Sequence, residues 1–141
     1  MAVKQISVYL ENKPGRLLYQ MKKLAEAKIN IRAMCIAEAN DFGIVRLIVS
    51  ETSKAKKILE EDALVTVTKV LGAEMKDEAG ALSEILTVLA EEKINIEYMY
   101  ASPTPVNGTA YVILRVSDCD AAERCLTQHG IAVLDAGQYQ S

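Results

Sequence analysis

The chain has 141 residues, and several kinds of residue are scarce in it: it contains no tryptophan, one phenylalanine, one histidine, three prolines and three cysteines. No charge of one sign dominates, since 16 basic residues stand against 19 acidic ones for a net charge of −3. A surface so balanced has no electrostatic footprint for a phosphate backbone, which argues against a nucleic-acid partner. No apolar run approaches the length of a membrane span, so a membrane partner is not expected either. Met1-Ala2-Val3-Lys4-Gln5 leads into strand-like sequence without a signal-peptide core, and the expectation is a cytoplasmic protein. Cys35, Cys119 and Cys125 form no C-x-x-C pair, which leaves little support for a disulfide framework or a thiolate metal site; they read as reduced, structural thiols. His129 stands alone near a helix end beside Gly130, without a cysteine or carboxylate relay. With no nucleophile beside a base, no metal cluster and no phosphate loop, neither catalytic nor metal residues are assigned, and no cofactor is expected.

What the chain does have is a repeat. Lys28-Ile29-Asn30-Ile31 returns as Lys93-Ile94-Asn95-Ile96. The same shift of 65 pairs Gly15, Leu17, Leu24, Ala25, Glu26 and Met34 with Gly80, Leu82, Leu89, Ala90, Glu91 and Met99. Self-similarity at a fixed period sets the architecture before any single motif does. It divides the chain into domains 1–68 and 69–141, each near the lower size limit for a self-sufficient core. Units so small need company, and a homodimer is the default expectation.

Each repeat has the same order of elements. Ile6 to Leu10 alternates like a half-buried strand, and Asn12-Lys13-Pro14-Gly15 breaks it. From Arg16, Leu17, Leu18, Met21, Leu24, Ala25 and Ala27 lay an apolar stripe along a helix. Ile29 to Ala37 reads as a strand with Ile29, Ile31, Ala33 and Cys35 on one face. A hairpin-like turn at residues 40–43 leads to the β-branched run Ile44 to Val49. Ser53 to Glu61 reads as a helix with Ser53 as its cap, and Val65 to Val70 as a strand. The second copy follows with a strand over 70–75, a helix over 81–92, strands over 94–101 and 110–116, a helix over 120–128 and a strand over 131–134. Past the middle turn the best shift becomes 67, because two residues are added in Ser102 to Gly108. Tyr98 and Tyr100 share parity with Ile94 and Ile96, which predicts that they pack beneath the helices. No flexible linker separates the copies, so the last strand of the first should run into the first strand of the second. The fold class is α+β: two tandem ferredoxin-like βαββαβ units, with antiparallel sheets and the helices on one face.

The strand-to-helix loop carries the chemistry. A helix start presents unpaired N–H groups and a positive dipole end, which favour an anion such as a carboxylate. Pro14 suits a first turn because it lacks an N–H, Gly15 lets backbone come close, and Asn12 can cap the helix or present its amide. Chemistry alone leaves open a well-made turn with no ligand.

Asn12-Lys13-Pro14-Gly15-Arg16-Leu17, followed by Leu24-Ala25 and Lys28-Ile29-Asn30-Ile31, resembles the ACT domain, a small-molecule-sensing module of amino-acid metabolism. The second copy, Asp77-Glu78-Ala79-Gly80-Ala81-Leu82, is similar but has Ala79 in place of Pro14. The resemblance spans both repeats. It implies a non-enzymatic, allosteric regulatory protein that binds an amino acid or similar metabolite where ACT domains pair, and that signals to a partner enzyme of amino-acid metabolism. By position it implies a ligand site at Asn12, Lys13, Pro14, Gly15, Arg16, Leu17 and Asn30, and at Asp77, Glu78, Gly80, Ala81, Leu82 and Asn95. Asp77 repels a carboxylate but can pair with an ammonium group, so the two sites need not hold a ligand alike. For Asn30 and Asn95 a purely structural role at the strand's start stands equally open. Two other readings compete. One is an RNA-recognition-like binder, suggested by the element order and by Gly108 to Val112 but lacking aromatic pairs and a basic surface. The other is the small subunit of an enzyme.

Overall fold

The structure, a computed structural model, describes residues 2–103 and 109–140. The elements are β1 (Val3–Glu11), α1 (Arg16–Glu26), β2 (Ile31–Ala39), β3 (Phe42–Val49), α2 (Thr52–Leu59), β4 (Leu64–Lys76), α3 (Ala81–Glu91), β5 (Ile96–Pro103), β6 (Thr109–Val116), α4 (Cys119–Gln128) and a short α5 (Ala136–Tyr139). The described residues form two compact units, one of residues 4–68 with 140, the other of residues 69–139 with 2–3. β4 is one continuous strand of 13 residues that begins in the first unit and ends in the second, as the missing linker predicts. Of the loop from Ser102 to Gly108 that holds the two added residues, 104–108 lie outside the described residues.

In the first unit β3 pairs antiparallel with both β1 and β2. Ile6, Val8, Val45, Leu47 and Val49 form the sheet side of the core, and Leu24, Ala55 and Leu59 of α1 and α2 close it. In the second unit β6 pairs antiparallel with β4 and β5, and Leu71, Ala73, Leu114 and Val116 meet Ile85, Val88, Leu89, Ala122 and Leu126 of α3 and α4. The fourth strand expected at 131–134 is only a bridge: Val133 pairs with Ala73, Glu74 N–H donates to the Ala132 carbonyl, and Leu134 N–H donates to the Gly72 carbonyl. Leu134 comes so close to Gly72 that a Cβ there would lie 2.3 Å from a Leu134 methyl carbon.

The repeated Lys-Ile-Asn-Ile is a helix-to-strand joint. Lys28 and Lys93 take left-handed backbone, with φ of 59° and 57°. Lys28 N–H donates to Ala25 O and Ile29 N–H to Leu24 O; Lys93 and Ile94 do the same to Ala90 and Leu89. This is a Schellman C-cap built on lysine where glycine is usual. The following asparagines are held through their backbones: Asn30 N–H donates to Ser50 Oγ while Ser50 N–H donates to Asn30 O, and Asn95 and Ser117 repeat the exchange.

Beyond that joint the strand parity departs from expectation. Register slips between Ile31 and Ala33, and again between Ile96 and Tyr98. Each slip is a bulge of one residue, Arg32 or Glu97, and one extra residue moves every later side chain to the opposite face. Ile31 therefore sits opposite Val49 on the helix side, whereas Ala33 and Cys35 sit opposite Ile48 and Arg46 on the other side. Tyr98 and Tyr100 likewise lie opposite Arg115 and Ile113, on the face away from α3 and α4 rather than beneath them. The stripe of α1 is narrower than its sequence suggests: Leu18 is exposed, and Gln20 is buried in its place. Ser53 is not a cap, because α2 starts one residue earlier behind Glu51, while Asp118 caps α4 by accepting from Ala121 N–H.

Candidate functional site

Both strand-to-helix loops have one backbone design despite unlike sequences. Lys13 N–H donates to Glu11 O, Arg16 N–H to Lys13 O and Tyr19 N–H to Gly15 O; Glu78, Ala81 and Glu84 donate to Lys76, Glu78 and Gly80. Gly15 and Gly80 precede the helices in left-handed conformation, with φ of 85° and 89° and the same ψ of −11°. Such a conformation favours glycine. A Cβ built on either would meet nothing within 4 Å, so the space before each helix start is open. Neither helix is capped by a side chain. Asn12 in particular does not cap α1; its N–H donates to the Asp41 carbonyl in the β2–β3 turn, and its side chain is exposed.

The other loop residues divide by exposure. Lys13, Pro14 and Arg16 are exposed, as are Asp77 and Glu78, whereas Leu17 and Leu82 pack against the cores of their units and Ala81 is buried. Lys13 pairs with Glu11 at 3.0 Å, and its hydrogen bond and charge, with the charge of Arg16, hold the Glu11 carboxyl below its ordinary range. Asn30 and Asn95 are exposed, at the far ends of α1 and α3 from these loops. Each helix has 11 residues, so the separation is about 16 Å at 1.5 Å per residue. Within a unit the asparagine and the loop therefore do not form one site.

Each loop borders a groove. In the first unit a space of about 510 Å³ lies among Tyr9, Leu10, Glu11, Arg16, Tyr19, Gln20, Asp62, Ala63 and Leu64. In the second a space of about 360 Å³ is lined by Glu74, Met75, Lys76, Glu78, Ala81, Glu84, Ile85, His129, Gly130, Ile131 and Ala132. Every residue of the first groove has its repeat counterpart in the second: positions 9 to 20 at the shift of 65, and positions 62 to 64 at the shift of 67. The chemistry differs. Tyr9, Glu11, Arg16, Tyr19, Gln20 and Asp62 are replaced by Glu74, Lys76, Ala81, Glu84, Ile85 and His129, so that the acid Glu11 gives way to a base.

One wall of the first groove is a tight polar cluster. Lys23 pairs with Asp62 and, at 3.5 Å, with Glu61, and its ammonium lies 5.5 Å from the centre of the Tyr19 ring. Burial opposes the charge on Lys23, but the hydrogen bond and charge of Asp62, with Glu61 behind it, outweigh burial and raise its pKa. The hydrogen bond from Lys23 in turn holds Asp62 below its usual value. Gln20, only 2% exposed, lines this groove, and its amide oxygen has no hydrogen-bond partner. The loop motifs alone did not reveal Tyr9, Tyr19, Gln20 or Asp62. The readable signal was Gln20 against Ile85, a polar residue in a stripe whose copy is apolar.

The remaining reactive groups are quiet. Cys35, Cys119 and Cys125 are free, and burial pushes all three thiols up, against the opposing pull of Arg46 on Cys35 and of Arg115 on Cys119. His129 ends α4 with Nδ1 2.8 Å from the Cys125 carbonyl. Among the described residues no group of histidine, cysteine and carboxylate side chains has the geometry of a metal site, and no helix is long and apolar enough to cross a membrane.

Three comparisons bear on this arrangement. The family model of the ACT domain pair matches residues 1–137. A protein from Bacteroides thetaiotaomicron of known crystal structure is 39% identical, with a TM-score of 0.92 over 100% of this chain and 97% of that one. The ligand-free regulatory subunit of aspartate kinase from Thermus thermophilus shares the fold at 16% identity, with a TM-score of 0.67 over 91% of this chain and 93% of its own. No curated protein matches the sequence. The repeated βαββαβ order, the twin glycine loops and a family match over nearly the full length lead to one conclusion: the chain belongs to the ACT domain pair family.

Proposed function

We propose that the protein is a non-enzymatic regulator that binds an amino acid or similar small metabolite through its strand-to-helix loops and passes the signal to a partner enzyme of amino-acid metabolism. The observation that carries this reading is the pair of open, uncapped helix starts behind Gly15 and Gly80, each beside a groove. Helix starts that no side chain caps are suited to a carboxylate. The partner enzyme is suggested by the fold shared with a regulatory subunit of aspartate kinase.

Because Asn30 is a helix length from its own loop, its part in a ligand site requires another ACT domain. Chains pairing as homodimers provide one: Asn30 of one domain then faces the loop of another, and Asn95 acts in the same way. Asn12, Lys13, Pro14, Arg16 and Leu17 shape the first loop, and Asp77, Glu78, Ala81 and Leu82 the second. The setting we propose is the cytoplasm.

Ligand that binds only the folded state raises apparent stability. In a thermal-shift screen of the standard L-amino acids at millimolar concentration, at least one should raise the melting temperature. The variant Gly15→Asn keeps the left-handed backbone, which asparagine tolerates, but places a side chain in the open space. It should suppress the shift. A flat screen with folded protein rejects the sensor reading, and an unchanged response in Gly15→Asn moves the site away from the first loop.

A further inference from the structure

The antiparallel rungs of β1 on β3 run to Ile6 against Leu47, and the same register carried two residues further sets Lys4 against Val49. That rung is open, and the side chain of Gln140, a residue of the first unit, fills it. Lys4 N–H donates to Gln140 Oε1 at 3.0 Å, while Gln140 Nε2 lies 2.9 Å from Lys4 O, 3.2 Å from Val49 O and 2.9 Å from Thr52 Oγ1. A primary carboxamide offers an acceptor oxygen and two donor hydrogens side by side, which is what this arrangement requires. A carboxylate in its place sets an oxygen against three acceptors, and an ammonium leaves Lys4 N–H without an acceptor. The socket therefore selects for one functional group.

The second unit opens the same rung and closes it with its own side chains. The rungs of β4 on β6 run to Leu71 against Leu114, which sets Lys69 next against Val116, the counterparts of Lys4 and Val49 at the shifts of 65 and 67. There Lys69 O accepts from Arg115 Nη1 at 3.3 Å and from the Cys119 thiol at 3.7 Å. The counterparts of those two residues are Ile48 and Thr52. Ile48 is a buried hydrocarbon with nothing to donate, so the first unit's rung depends on an amide brought from a residue remote in sequence.

We infer that Lys4, Val49 and Thr52 form a binding site for a primary carboxamide, and that Gln140 is its tethered occupant. The ligand class is the amide side chain of glutamine or asparagine, as the free amino acid or within a peptide. The site lies at the opposite end of β1 from the Asn12–Gly15 loop, since seven residues separate Lys4 from Glu11, about 23 Å at 3.3 Å per residue. It is thus independent of the amino-acid reading above. Gln140 follows the four-residue α5 and is only half-buried, and Lys4 is exposed, so the socket is reached from solvent. A tethered group competes at an effective concentration of roughly millimolar, and a carboxamide at that level, or one that gains further contacts, displaces it.

The test is NMR titration of the full chain with propionamide, followed at the Lys4 backbone amide, on the wild type and on Gln140→Ala. Removing the occupant opens the socket, so Gln140→Ala should bind propionamide at least roughly tenfold more tightly than wild type, in which only the open fraction is competent. Thr52→Val on the Gln140→Ala background should weaken binding roughly three- to tenfold, the loss of one neutral hydrogen bond. N,N-Dimethylpropionamide, which keeps the acceptor but lacks both donors, should leave the Lys4 amide unmoved. In the wild type, which needs no substitution, saturating propionamide should release the Gln140 side-chain amide resonances to the position of an exposed glutamine. L-Glutamine and an acetyl- and methylamide-capped peptide with one glutamine separate the two sources, the tighter binder being the ligand the socket takes. No movement of the Lys4 amide in folded Gln140→Ala, or an equal movement with N,N-dimethylpropionamide, overturns the assignment. Either result leaves the amino-acid reading standing, because the socket shares no residue with the helix-start loops.

Discussion

Replacing Lys28 with glycine should make this protein more stable. Lys28 is exposed, with a φ of 59°, at the position where the α1 C-cap turns left-handed. That conformation costs an L-residue roughly 1–2 kcal/mol through crowding of its Cβ against the following carbonyl. Glycine avoids the clash but brings a more flexible unfolded chain, a penalty of roughly 0.4–1 kcal/mol. The balance is a gain of up to roughly 1.6 kcal/mol, and Lys93, with a φ of 57° in the second unit, should give the same. With no partner in common the two should add in the double variant. Urea denaturation measures this as a higher midpoint at unchanged slope. Lys22→Gly, in the exposed middle of α1, is the control and should lose about 1 kcal/mol. If Lys28→Gly loses stability as Lys22→Gly does, the lysine is not strained, and the account of the repeated motif as a structural joint is wrong.

Gly72→Ala should destabilise by roughly 1–3 kcal/mol through its clash with Leu134, and Leu134→Ala on the same background should recover part of the loss in the same urea assay. Gln140, whose side chain bonds Lys4 N–H, Lys4 O, Val49 O and Thr52 Oγ1 in the first unit, should cost roughly 1–3 kcal/mol when changed to alanine. Thermal denaturation against pH tests the Lys23–Asp62 pair. The Asp62 pKa is depressed in the folded state, so its stabilisation is present above the unfolded carboxylate value near 4 and is lost as pH falls through the lower folded value. Asp62→Asn should therefore melt below wild type at neutral pH and converge with it in acid; a constant difference across the range contradicts the linkage.

The repeat was legible because it rests on identities at a fixed shift, and those identities turn out to be joints: Gly15 and Gly80 start the helices, Lys28 and Lys93 end them, and Asn30 and Asn95 exchange backbone bonds with Ser50 and Ser117. Local backbone geometry constrains residue choice at such points. Strand faces beyond Arg32 and Glu97 were not legible, since a bulge leaves no mark in hydrophobic alternation yet inverts everything after it. Tyr98 and Tyr100 were misplaced for that reason. The strand at 131–134 was overdrawn because apolar residues there pack as Leu134 does on Gly72 without extending a ladder past one bridge. The loops were visible in the sequence, but the groove beside each was not, because it draws on positions as distant as Tyr9 and Asp62 that only the fold brings together. Leu18 and Gln20 exchange the places periodicity assigned them.

The central claim is that this ACT domain pair senses an amino acid, and the most direct measurement is isothermal titration of the folded full chain with each standard L-amino acid. The account predicts saturable heat for at least one of them, weakened by at least about tenfold in Gly15→Asn, a loss of about 1.4 kcal/mol in binding free energy. No saturable heat from any amino acid at millimolar concentration would contradict it.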